Sequence, residues 1–315
     1  MKKSSILMIV SGAVMAVGIV LIISGFLSSA VSVSKDGIRF LDERIETFFD
    51  EVGDTPFGFG FSGRLSASAS YEGPVSQITV DVADADVLLI PTDEAAYRIE
   101  AAYSEDSPVT MEQNGSQIAI RQVSRSGLHL FYWQSGGGAQ VKLYIPKGAS
   151  GNDITIGTQS GDITWKLDWK AAETVSLSSV SGDIRGGSIT ASTLALSSTS
   201  GEISGTACTE FFELSTTSGD IRMDMEQVRR LNASSVSGDL SLNGAAGTSA
   251  EISTVSGDVL LSLGDSPSQY TLLFNSVSGD SSISGADLSD LQSGPVPLRI
   301  GTTSGDLSVQ FSFPS

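Results

Sequence analysis

Histidine and cysteine are nearly missing from this chain of 315 residues, each occurring once, as His129 and Cys208. A single cysteine excludes an internal disulfide, and the two scarcities together exclude the Cys- and His-rich sets that hold structural zinc. A nucleophile–base device would have to use His129, which lies among aromatic residues with no acid close in sequence. Bases are half as frequent as acids, 18 Lys and Arg against 36 Asp and Glu, and the net charge is −18. That balance excludes nucleic acid as a direct partner, because phosphate backbones are recognised by basic patches. No P-loop or dinucleotide fingerprint occurs. Ser32-Val33-Ser34-Lys35 matches a Ser-x-x-Lys pattern, but its partner motifs are absent. Aromatic residues are only 7% of the chain.

What is abundant is Gly, at 34 residues, together with Ser, Thr and β-branched side chains. This composition suits an all-β protein with many tight turns. The exception is the N-terminus, "MKKSSILMIVSGAVMAVGIVLIISGFLSSA". Lys2 and Lys3 precede an uncharged run, Ile6 to Leu27, which as a helix is roughly 33 Å long and crosses a hydrocarbon core. Lysines before the run and acids after it predict a single-pass signal-anchor with the N-terminus cytoplasmic and the bulk of the chain extracytoplasmic. Ser28-Ser29-Ala30 leaves cleavage as the alternative, although the apolar run is longer than a signal peptide needs.

The spacing of Ile38, Leu41, Ile45, Phe48, Phe49 and Val52 predicts a short amphipathic helix, and "TPFGFGFSGR" after it reads as a Gly/Phe-rich linker. The organisation expected is therefore an anchor over 1–34, a juxtamembrane helix and linker over 35–65, and a repeat domain over 66–315.

The repeat is carried by Ser-Gly-acid triplets. Their acids are Asp162, Asp183, Glu202, Asp220, Asp239, Asp258, Asp280 and Asp306, at spacings of 21, 19, 18, 19, 19, 22 and 26 residues. The glycines are Gly161, Gly182, Gly201, Gly219, Gly238, Gly257, Gly279 and Gly305. Eight and six residues before each acid the column is apolar, as in Val175/Leu177 and Leu194/Leu196, and the position after it is Ile, Leu or Val in all coils but one. Alternation of this kind marks strands with one buried face. Four residues before each acid stands a Ser or Thr on the same inward face, expected to hydrogen-bond along the stacking axis.

These columns predict a single-stranded β-solenoid (a β-helix) with coils of about 18–22 residues, stacked about 4.8 Å apart in parallel. The triplet reads as the corner of each coil, with Gly taking a backbone conformation closed to other residues and Asp bonding its own turn. At about 4.8 Å, stacked carboxylates repel by roughly 0.9 kcal/mol per pair in water. Turn hydrogen bonds offset this repulsion, and calcium between coils is the alternative; no other cofactor is indicated.

Before the triplets, "VSQITVDVADADVLLIPTDEAAYRIEAAY" and "QVKLYIPKGAS" alternate and read as earlier coils and a cap. "SGLHLFYWQSGGG" (126–138) reads as a cap or edge strand, or as an aromatic binding patch. Asp81, Asp84 and Asp86 crowd three carboxylates together, but read as one strand with its start-of-coil turn rather than as a glycosidase pair.

The succession of "IPKGAS" (145–150), "DITIGTQSGDITW" (153–165) and iterated "SVSGDI" units resembles the putative-adhesin family of bacterial, LiaG-like β-solenoids, over roughly residues 72–312. The resemblance implies an envelope-associated and often membrane-anchored solenoid with no catalytic residues to carry over. The function expected is a non-enzymatic cell-envelope protein presenting a rigid acidic surface to another protein or a wall polymer. The alternatives are a regulatory or scaffold subunit of a membrane stress sensor or transporter, and a glycan-processing enzyme.

Overall fold

The structure, a computed structural model, describes residues 65–105, 107–122, 139–170 and 172–312. The expected membrane span, the 38–52 helix, the linker up to Arg64 and the whole aromatic stretch 126–138 lie outside them. Among the described residues no helix is long and apolar enough to cross a membrane. The fold is all-β, one sheet of nineteen strands with two 3₁₀ turns, Pro267–Gln269 and Leu288–Leu291, as its only helical elements among those residues.

In chain order, β1 (Leu65–Tyr71) is followed by β2 (Gln77–Val82) and β3 (Asp86–Thr92), which flank a corner of their own. Next come β4 (Tyr97–Tyr103), the hairpin of β5 (Val109–Asn114) and β6 (Gln117–Gln122), and β7 (Gln140–Pro146). The triplets begin with β8 (Asn152–Thr158) leading into Asp162, β9 (Ile163–Trp165) leaving it, and β10 (Ala172–Ser179) leading into Asp183. Then β11 (Ile184–Ser198), β12 (Ile203–Thr216), β13 (Ile221–Ser235) and β14 (Leu240–Thr254) each run from one corner to the next, so that one strand is nearly one coil. The chain closes with β15 (Val259–Leu263), β16 (Tyr270–Ser276), β17 (Ser281–Ser284), β18 (Val296–Thr302) and β19 (Leu307–Phe311).

Coils stack in parallel and in register. After the corner, Ile184 pairs with Ile203, Ile203 with Ile221, Ile221 with Leu240 and Leu240 with Val259. Before the corner, Val175, Leu194, Phe212, Leu231 and Ala250 form the matching row. Both rows are buried and merge with the other inward residues into one continuous core. Each Ile, Leu or Val held this way contributes about 1.5–3 kcal/mol of transfer free energy, repeated at every coil. Register shifts at Arg185/Ser188, Ala207/Cys208 and Met225/Val228 mark bulges on the far side of the coil, where its length varies without disturbing the corner.

The two ends depart from a simple stack. At the C-terminal end β18 lies between β14 and β16, and β19 between β15 and β17. The last coil in sequence is thus inserted beneath the one before it. At the other end β2 lies between β6 and β8, and β3 between β7 and β9, so the first coil is enclosed as well. Beyond β7 the sheet is finished by antiparallel strands, β4 on β7 and β1 on β4, with β5 antiparallel on β6.

Candidate functional site

The eight triplet acids fall on one line along the stack and form the molecule's most regular chemical feature. A ninth member, Asp86, was missed in the sequence because Ala85 stands where the other corners have glycine. The Asp162 amide donates to Asp86 Oδ1 at 2.9 Å, Asp183 to Asp162 at 2.9 Å, and Glu202 to Asp183 at 2.7 Å. Beyond Asp220 the pattern resumes, with the Asp239 amide on Asp220 Oδ1 at 3.1 Å and the Asp258 amide on Asp239 Oδ1 at 2.9 Å. The inserted last coil then takes its turn, Asp306 on Asp258 and Asp280 on Asp306, each at 2.8 Å. Each such carboxylate therefore fixes the next coil rather than bonding its own turn, as the sequence had suggested.

Arginine meets four of the nine ladder acids. Arg185 bridges Asp162, at 2.6 Å, and Asp183; Arg222 bridges Glu202 at 2.7 Å and Asp220 at 2.8 Å. Burial raises the Asp162 carboxyl, but the Asp183 amide and the Arg185 guanidinium outweigh it and hold the group below the usual carboxylate range. At the equivalent position of the later coils stand Ser241, Leu260, Ser308 and Ser282, and among the described residues no arginine bridges Asp239, Asp258, Asp306 or Asp280. There the ladder lines an open groove of about 480 Å³, floored by residues such as Leu260 and Ser308. Among the described residues no group of three or more His, Cys, Asp and Glu is arranged to hold a metal ion.

The structure changes the physical account of two other corner residues. The glycines are needed for close approach: a Cβ on Gly182, Gly201 or Gly238 would lie within about 2 Å of the carbonyl oxygen of the corner glycine below. Of the eight corner glycines only Gly279, in the outermost coil, has a positive φ, of 128°. The hydroxyl column likewise does not bond along the axis. Thr158, Ser198, Thr216, Thr254 and Thr302 each accept the amide of the glycine three residues later, at 2.8–3.0 Å. Stacked backbones this close leave that buried amide no room for water, so the side chain supplies its acceptor.

In the first coil Gln122 does the equivalent work from the neighbouring β6, its Oε1 accepting the amides of Ala83, Asp84 and Ala85 while its amide nitrogen donates to Asp84 at 2.5 Å. Asp84 and Asp86 are thus corner residues, whereas Asp81 lies within β2, its carboxyl raised by burial against the pull of Arg121.

The model of the family described as Toastrack DUF4097 matches residues 75–310. No curated protein matches the chain. Among solved structures it is similar to a "putative adhesin" from Bacteroides fragilis, at 10% identity over 79% of this chain and 98% of that one, with a TM-score of 0.46. It is also similar to a "putative cell adhesion protein" from Clostridium sporogenes, at 8% identity over 79% and 100% of the two chains, with a TM-score of 0.28. A "putative lipid binding protein" from Parabacteroides distasonis is similar at 13% identity over 77% and 96%, with a TM-score of 0.39.

Proposed function

The chain belongs to the Toastrack DUF4097 family, and from that premise we propose that it is a non-enzymatic cell-envelope protein whose acidic β-solenoid is presented to a surface or wall component. The observation that carries this reading is the corner ladder. Seven of its nine carboxylates accept the amide of the next coil, and four of the nine are bridged by arginine. Groups fixed in this way stiffen a rod and do not move protons, which speaks against the glycan-processing alternative. The apolar run Ile6–Leu27 behind Lys2 and Lys3 supports a single N-terminal membrane anchor with the solenoid outside, where wall polymer and neighbouring envelope proteins would be within its reach.

Photo-crosslinking in living cells tests it, with the crosslinker at the exposed positions Phe211 and Leu260 and, separately, within residues 38–52. Adducts to wall polymer or a surface protein from the coil positions are the expected result. Adducts confined to residues 38–52 and to one membrane protein would replace this reading with that of a regulatory subunit.

A further inference from the structure

We propose that the C-terminal end of the solenoid docks an extended, basic and apolar peptide strand, added to the stack as its next coil. This rests on the reading of the rod as a presenting scaffold and names one surface by which it takes a partner. The outermost coil is β16 and β17, and among the described residues these strands pair only with β18 and β19, apart from one bridge from Thr271 to Gln292. The backbone from Leu272 to Ser276 is therefore an open edge. Side chains that would be buried in an interior coil are left half-exposed here, Leu272, Phe274 and Ile283 among them, and Leu273 and Val277 are 49% and 60% exposed. Such an edge is a ready template for a further strand. No lysine or proline within β16 blunts it.

The chemistry of the strand follows from the ladder. Asp280 is its terminal member: its amide reaches Asp306, but among the described residues no amide reaches its own carboxylate. Inside the rod the next coil supplies that amide to every ladder acid but Glu202, and in the N-terminal coils an arginine two residues past alternate corners bridges the carboxylates, as Arg185 and Arg222 do. At this end the arginine position is Ser282; the base on the coil beneath is Arg299, which pairs opposite Leu273, seven residues before the corner acid Asp306 and away from the ladder. Asp265, Asp287 and Asp290, in the segments that lead into β16 and out of β17, carry the same sign of charge. A strand that offers apolar side chains to Leu272 and Phe274 and a guanidinium to Asp280 meets every one of these contacts. A second copy of the chain would bring the same acids against themselves, which disfavours tail-to-tail pairing.

The test uses the full chain in detergent and a short fluorescent peptide alternating valine with arginine, with a valine–glutamate peptide as its counterpart. Anisotropy is expected to show binding of the arginine peptide only, weakened by salt. Leu273→Lys with Val277→Lys should lose about tenfold in affinity. Asp280→Asn, which keeps the corner's shape, should lose severalfold, and both variants should melt as the parent does. Equal binding of the two peptides, or binding untouched by both variants, would overturn the proposal. So would sedimentation showing a dimer of the parent that Leu273→Lys abolishes, since the edge would then belong to a second copy. Peptide binding that fails while coil adducts to envelope components persist in cells sinks this inference alone. Binding that survives while those adducts are missing sinks the presenting role and leaves the docking edge standing.

Discussion

At Gly201 a methyl group would lie 2.0 Å from the Gly182 carbonyl oxygen, a backbone atom that cannot give way without opening the stack. Gly201→Ala is therefore expected to destabilise the protein by about 3 kcal/mol or more, whereas Gly187→Ala, with nothing within 4 Å of the new Cβ, should stay within about 1 kcal/mol of the parent. Urea unfolding of the two variants side by side measures the difference. Thr216→Val removes the acceptor of the buried Gly219 amide and keeps the side chain's shape, for an expected loss of about 1–3 kcal/mol. Asp162 adds a pH dependence. Its carboxyl is depressed in the folded protein, so its contribution is present above the ordinary carboxyl range and disappears as pH falls through the depressed value. Asp162→Asn can still accept the Asp183 amide and loses only the Arg185 pairing. Thermal melts of parent and variant should differ near neutral pH and converge in strong acid; a constant gap would place the effect outside the carboxylate's charge.

The strands themselves were legible in the sequence because inward positions recur with period two and each corner is marked by its triplet. Rows such as Ile184, Ile203, Ile221 and Leu240 can be read directly as a core. The threading of the ends could not be read in the same way, since Leu298 and Ile300 fit against Ala250 and Ile252 as well as any neighbour does. Only the spacing hinted at it. The 26 residues from Asp280 to Asp306, against 18 or 19 in the middle of the repeat, leave chain enough to run out around the end and return underneath. The role of the hydroxyl column was also hidden, because alternation reports which way a side chain faces and not which donor it meets. Threading has a mechanical consequence. β16 and β17 rest on β18 and β19, not on β14 and β15. Deleting residues 296–315 should therefore strip hydrogen-exchange protection from 270–284 as well, while the coils up to β15 keep theirs. Retained protection over 270–284 would mean that this coil can dock directly on the rod.

Charge is distributed unevenly along the whole rod. Arginine follows the corner in alternate coils, at Arg185 and Arg222, and each spans two ladder acids; the next place in that alternation is Leu260. From there to the C-terminal end the ladder is closed by backbone amides alone, and like charges stand one coil apart in an open groove. With a net charge of −18 on the chain, this half carries repulsion that solvent ions can reach. The parent should therefore gain stability as salt rises from low ionic strength. Leu260→Arg, placed to span Asp239 and Asp258 as Arg222 spans Glu202 and Asp220, should melt higher at low salt by an amount equivalent to about 0.5–1 kcal/mol. That advantage should fade near 1 M salt, where screening acts within about 3 Å. Arg222→Ser should show the opposite signature, a loss largest at low salt. If Leu260→Arg gave the same gain at every ionic strength, the benefit would come from packing over the groove, and the alternating arginines would not be the device that holds a column of stacked carboxylates together.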